Sequence, residues 1–142
     1  MVLPLAGFTT PAGVEAGLMR VADTAGIPLT LYIKSERYID VDTLARLIDS
    51  GTLIAVTYAI VREDPSNDPY LRRLLQSVSA SRVVSGMGEC PALVHVCDFG
   101  LVAWTTGSGC IAARAVTALF DAVKKGRADE APACAYGQGH RI

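Results

Sequence analysis

Thr52-Leu-Ile-Ala-Val-Thr-Tyr-Ala-Ile-Val-Arg62 is an apolar run rich in β-branched residues that ends in a charged loop, the pattern of a buried strand. Comparable runs flank it, Val2-Leu-Pro-Leu-Ala6 and Ile27–Ile33 before it, Arg82–Ser85 and Leu101–Thr105 after it. The intervening stretches read as helices. Thr10-Pro11 opens the first, with Val14, Leu18, Val21 and Ala25 at helical spacing and Gly26 as its stop. Asp40 or Asp42 caps the second, which turns Val41, Leu44, Leu47 and Ile48 to one side and pairs Asp42 with Arg46 on the other. Asn67 or Asp68, just ahead of Pro69, caps a third with Tyr70, Leu71, Leu74, Leu75 and Val78 inward. Pro91 to Phe99 gives a fourth, ended by Gly100. The fifth runs from about Cys110 to Lys125, with Ile111, Val116, Leu119, Phe120 and Val123 buried.

Strands alternating with helices, over connections too short for anything but helical crossovers, imply an α/β fold with a parallel sheet. Two architectures satisfy the pattern: a doubly wound sheet, or an arc of a (β/α)8 barrel. In both, the ligand lies at the carboxyl ends of the strands.

A chain of 142 residues is the size of one domain. Its 13 basic and 14 acidic residues leave a net charge of −1, and the basic ones are scattered. This argues against nucleic acid and anionic membranes as partners. Although 51% of the residues are hydrophobic, the long uncharged runs, Met1 to Val14 and Phe99 to Ala113, are short for a span and contain Pro, Gly or Thr. No basic segment precedes an apolar one at the amino terminus, so a cytoplasmic protein is expected. Cys90, Cys97, Cys110 and Cys134 have no metal-binding spacing and read as reduced thiols. The two histidines, His95 on a helix flank and His140 in a Gly-rich tail, supply no evident catalytic pair.

Softer candidates stand at the strand ends. Gly86 leaves room for close backbone approach, and Glu89 either faces a pocket or caps a helix. Thr106-Gly-Ser-Gly109 ahead of a helix is either a small anion cradle or a plain helix entry. It lacks the length and lysine of a P-loop, and the spacing around Ser108 is not that of a nucleophile elbow.

Thr9-Thr10-Pro11, Leu31-Tyr-Ile-Lys-Ser-Glu-Arg37, Asp42-Thr-Leu-Ala-Arg-Leu47, Leu53-Ile-Ala-Val-Thr57, Val83-Val-Ser-Gly86 and Gly100-Leu-Val-Ala103, taken in that order, resemble the second half of the dihydrodipicolinate synthase and N-acetylneuraminate lyase family of class I aldolases. The resemblance implies a partial (β/α)8 TIM barrel over residues 1–126, about five parallel strand-helix units corresponding to strands four to eight, followed by an irregular tail, 127–142. It also implies carbon-carbon lyase chemistry on pyruvate or another 2-oxo acid, through a Schiff base to a lysine, with no metal and no cofactor. Only a free amine attacks the carbonyl, and the iminium then accepts the electrons of the broken bond. Tyr32 falls on the family's proton-relaying tyrosine, Arg37 on its carboxylate-holding arginine, and Gly86 and Val102 on substrate-lining positions.

Thr57 falls on the lysine. A hydroxyl cannot form an imine, and the family's Gly-Thr-Thr-Gly-Glu segment belongs to strands not matched here. The expectation is therefore a lyase-like fragment inactive alone, or else a non-catalytic subunit or binding module for a 2-oxo acid. Lys34, two residues beyond Tyr32, is either a relocated nucleophile or a surface lysine. Five strands would leave two open edges, so self-association or a chain supplying the missing strands is expected.

Overall fold

The apolar run at 53–58 forms the central strand of a parallel sheet. A computed structural model describes residues 1–4 and 9–127. Within them lie α1 (Pro11–Ala25), β1 (Leu29–Ile33), α2 (Val41–Asp49), β2 (Leu53–Tyr58), α3 (Pro69–Ser77), β3 (Val83–Ser85), α4 (Glu89–Phe99) and α5 (Gly109–Lys124). The order across the sheet is β1-β2-β3. It is a mixed α/β fold with a three-stranded parallel sheet and five helices among the described residues.

The two outer runs expected as strands contribute single parallel bridges, Val2 beside Leu31 and Trp104 beside Ser85. On the first edge Pro4 has no N–H to extend the ladder. On the second, the Leu101 N–H donates to the His95 carbonyl at the end of α4, so pairing starts only with the Ala103 carbonyl, which accepts from the Ser85 N–H at 3.0 Å. Five chain segments thus cross the sheet in sequence order, without a reversal among the described residues. The tail after Arg127, with Cys134 and His140, lies outside them, as does the 5–8 stretch.

Helices α1, α2 and α3 start where side chains accept their free N–H groups. Thr10 Oγ1 takes the Gly13 N–H at 3.2 Å, Asp40 Oδ1 that of Thr43 at 2.8 Å, and Asp68 Oδ1 that of Leu71 at 2.9 Å. Pro11 and Pro69 follow two of these caps, and Gly26 and Gly100 close α1 and α4 in the left-handed conformation.

One continuous core joins Val14 and Leu18 of α1, Leu44 and Leu47 of α2, and Leu71 and Leu74 of α3 to one face of the sheet. That face carries Leu29, Leu31, Ile33, Leu53, Val56, Tyr58 and Val83. Each such side chain contributes about 1.5–3 kcal/mol when fully buried. A smaller cluster of Leu93, Leu119 and Val123 fastens α5 to α4.

Three expectations are corrected. Val21 is 47% exposed, and Ala22 takes its place at the core. Arg46 reaches back to Glu15 of α1 at 3.1 Å and not to Asp42, which receives Arg73 of α3; both pairs are solvent-exposed and contribute little. In α5, Ala112 is not helical, which detaches the first turn and leaves Ile111 93% exposed.

Candidate functional site

β1 and β2 pair Tyr32 with Thr57, and β2 and β3 pair Thr57 with Val84. Residues in register on parallel strands share a face, so Thr30, Tyr32, Ala55, Thr57 and Val84 line the side turned away from the helical core. Thr57 is buried there, its hydroxyl 3.8 Å from the Met1 sulfur, a weak acceptor. Tyr32 is half-buried, its hydroxyl 3.5 Å from the Gly86 carbonyl. Gly86 completes the group: a Cβ there would stand 2.8 Å from Thr57 Cγ2, 3.1 Å from Ala59 Cβ and 3.2 Å from the Tyr32 ring. Gly86→Ala is therefore expected to destabilise by about 1–3 kcal/mol through overpacking, measured as a lower urea midpoint. A variant as stable as wild type would mean that this close approach is not rigid.

The structure brings Tyr32, Thr57 and Gly86 together. It does not gather the other two. Arg37 lies exposed in the turn after β1, where its N–H donates to Ser35 Oγ at 3.3 Å. Val102 is 54% exposed on the edge segment, and no hydrogen bond or core contact among the described residues ties it to that group. Lys34 is exposed, its Nζ lying 5.7 Å from the centre of the Tyr32 ring.

Glu89, the first residue of α4, turns toward the loop before α5. Its carboxylate accepts from Thr106 Oγ1 and, at 3.3 Å, from Ser108 Oγ. The Thr106–Gly109 segment, read as either an anion cradle or a plain helix entry, is thus engaged by an acid of the chain itself. Among the described residues no group of three His, Cys, Asp or Glu side chains is placed to hold a metal ion.

A second set of side chains at the carboxyl ends of β1 and β2 escaped the sequence reading. Tyr58 donates to Asp68 Oδ2 at 2.5 Å, Arg62 donates to Asp68 Oδ1 at 2.9 Å, and the same Arg62 nitrogen pairs with Glu36. Tyr58 and Asp68 are fully buried. Burial opposes charge on Asp68, but the hydrogen bonds from Arg62, Tyr58 and the Leu71 N–H outweigh it and hold the carboxyl below its usual range. Burial, reinforced by Asp68, pushes the Tyr58 phenol far up, so it remains a donor. The hydrogen bond to Asp68, with Glu36 behind it, raises the Arg62 guanidinium. No local spacing foretells this set, because Glu36 and Arg62 are 26 residues apart in sequence.

His95, read from sequence as a helix flank, is buried against the sheet. Its Nδ1 is 2.8 Å from Ser85 Oγ, and its ring meets Tyr58 and Phe99 edge-on at 5.7 and 6.1 Å. Burial lowers its pKa from 6.5, against a weaker upward pull from Asp68. A base held neutral in the fold contributes stability that is fully present above the unfolded value and is lost as pH falls through the lowered folded one. Wild type is therefore expected to lose stability as pH drops below about 6.5, a loss that His95→Gln would not share. Parallel urea midpoints for the two proteins across that range would refute the assignment.

A hollow of about 380 Å3, lined by Ala22, Gly26, Pro28, Ser50 and Thr52 among others, opens at the amino ends of β1 and β2, opposite the side chains just described. In its described residues the chain has no helix long and apolar enough to cross a membrane. Compared with models of known protein families, with curated proteins and with solved structures, the chain matches none.

Proposed function

We propose that the chain is an arc of a (β/α)8 barrel, strands four to eight, related to the Schiff-base lyases that act on pyruvate and other 2-oxo acids. On this reading it does not form the imine itself. The observation that carries the reading is the placement of Thr57: buried, in register with Tyr32, and packed at Gly86 on the face turned away from the helices. The sequential order of the parallel segments, with α1, α2 and α3 sharing one core on one face, supports a barrel arc over a doubly wound sheet, whose order reverses.

Such chemistry needs a nitrogen beside the phenol, and position 57 offers a hydroxyl. The protein is then a cytoplasmic one that self-associates, or pairs with a chain supplying further strands, along its open edges. Retention of a 2-oxo acid without turnover is the second reading, favoured by the Tyr32, Thr57 and Gly86 grouping.

Incubation with pyruvate and borohydride, followed by mass spectrometry, tests the proposal. No adduct is expected on wild type. An adduct on Lys34, whose amine lies over the Tyr32 ring, would overturn the inactive reading and make the chain a working lyase. Thermal stabilisation by pyruvate without an adduct would favour the binding role.

A further inference from the structure

Arg62 lies between two carboxylates held in very different ways. Asp68, with no exposed surface, accepts from Tyr58 Oη, from the Leu71 N–H and from Arg62 Nη2, and so cannot leave. Glu36 sits in the loop after β1 with its side chain 45% exposed, and among the described residues its carboxylate has Arg62 as its one partner. Arg62 itself is only 21% exposed, and its Nε is buried with no acceptor. One guanidinium nitrogen is thus shared between a fixed, buried acid and an exposed, exchangeable one. Both acids are met by Nη2, and among the described residues Nη1 donates to no acceptor.

We infer that Arg62 is a binding site for a small carboxylate ligand, and that Glu36 is the built-in occupant which that ligand displaces. The guanidinium fork suits a planar carboxylate held by two parallel N–H groups. Exchange of one carboxylate for another keeps the charge of the cluster unchanged. A phosphate dianion would add charge beside Asp68 and is disfavoured. The position, at the carboxyl ends of β1 and β2, is where ligands lie in parallel α/β sheets. None of this requires the aldolase reading: an adduct on Lys34 would defeat the inactive proposal above and leave the Arg62 site standing.

The test is titration of acetate and of pyruvate into wild type, Glu36→Gln and Arg62→Lys at constant ionic strength, followed by the side-chain Nε–H resonance of Arg62 and by backbone amide shifts. Glu36→Gln removes the competing charge at an exposed position, so the fold is expected to persist. Its carboxylate affinity is expected to exceed that of wild type by about two- to fivefold, the range an exposed ion pair represents. Shifts are expected to centre on Arg62, and Arg62→Lys, which keeps the charge but loses the fork, is expected to bind more weakly than wild type. Equal affinity of wild type and Glu36→Gln overturns the proposal, as does the absence of saturable binding in both. Phosphate bound as tightly as acetate would reduce the site to unspecific charge attraction and overturn it too. If Arg62→Lys does not fold, the comparison of wild type with Glu36→Gln still decides.

Discussion

Asp68→Ala is expected to cost the fold about 3–5 kcal/mol, read as a large fall in the urea midpoint, because three dependencies break at once. Asp68 caps α3 through the Leu71 N–H, a bond of the kind that contributes about 1 kcal/mol. It is the acceptor for the buried Tyr58 hydroxyl, which would be left dry and unpaired. It is also the buried counter-charge of Arg62, whose other acid, Glu36, is solvent-exposed and screened. Asp68→Asn, which keeps one acceptor oxygen for the Leu71 N–H but turns an uncharged amide toward Tyr58, is expected to fall between wild type and alanine. A pH series separates the charge from the cap. A carboxyl held below its usual range contributes stability that is complete above the unfolded value near 3.8 and disappears as pH falls through the folded one. That component of acid destabilisation should be missing in Asp68→Asn. A loss below 1 kcal/mol for Asp68→Ala would mean that the network is ornamental.

The second large effect is a gain. Thr57→Lys is expected to turn a chain that forms no borohydride-trapped pyruvate adduct into one that does, with the adduct on the introduced lysine. Position 57 is in register with Tyr32 and packs closely at Gly86, so a longer side chain has to displace its neighbours to extend toward the strand ends. Burial there depresses an amine's pKa and keeps a reactive fraction unprotonated. The nitrogen adds to the ketone carbon, water leaves, and borohydride delivers hydride to the iminium carbon. The substitution should lower stability by about 1–3 kcal/mol through overpacking, and Tyr32→Phe added to it should slow formation of the adduct. A folded Thr57→Lys protein without adduct would contradict the proposed relation of this face to an aldolase site.

How much of this was legible beforehand depended on distance along the chain. The capping residues Thr10, Asp40 and Asp68, the prolines after two of them and the glycine stops were local signals, and α1, α2, α3 and α4 each begin or end within a few residues of them. Tyr32, Thr57 and Gly86 were found by resemblance, and their adjacency emerged only when β1, β2 and β3 paired. Alternation alone would have misplaced Leu53, because the register slips between Leu29 and Thr30. Ile54 becomes the extra residue of that irregularity, so Leu53 and Val56 both face the helices. Glu36, which engages Arg62, and Glu89, which engages the Thr106–Ser108 loop, are also far from them in sequence. Their chemistry gave no hint of the pairing.

By itself, then, the order of residues determined the alternation of parallel strands and helices, their ends, and the absence of an amine at position 57. These depend on backbone geometry and side-chain identity within a turn or two. Tertiary structure alone decided which acid meets which base, that His95 is buried on Ser85, and that Ile111 is left in solvent. Those outcomes depend on where separate segments come to lie, which is set by the burial of whole apolar faces and by the pairing of desolvated charges, and by no local pattern.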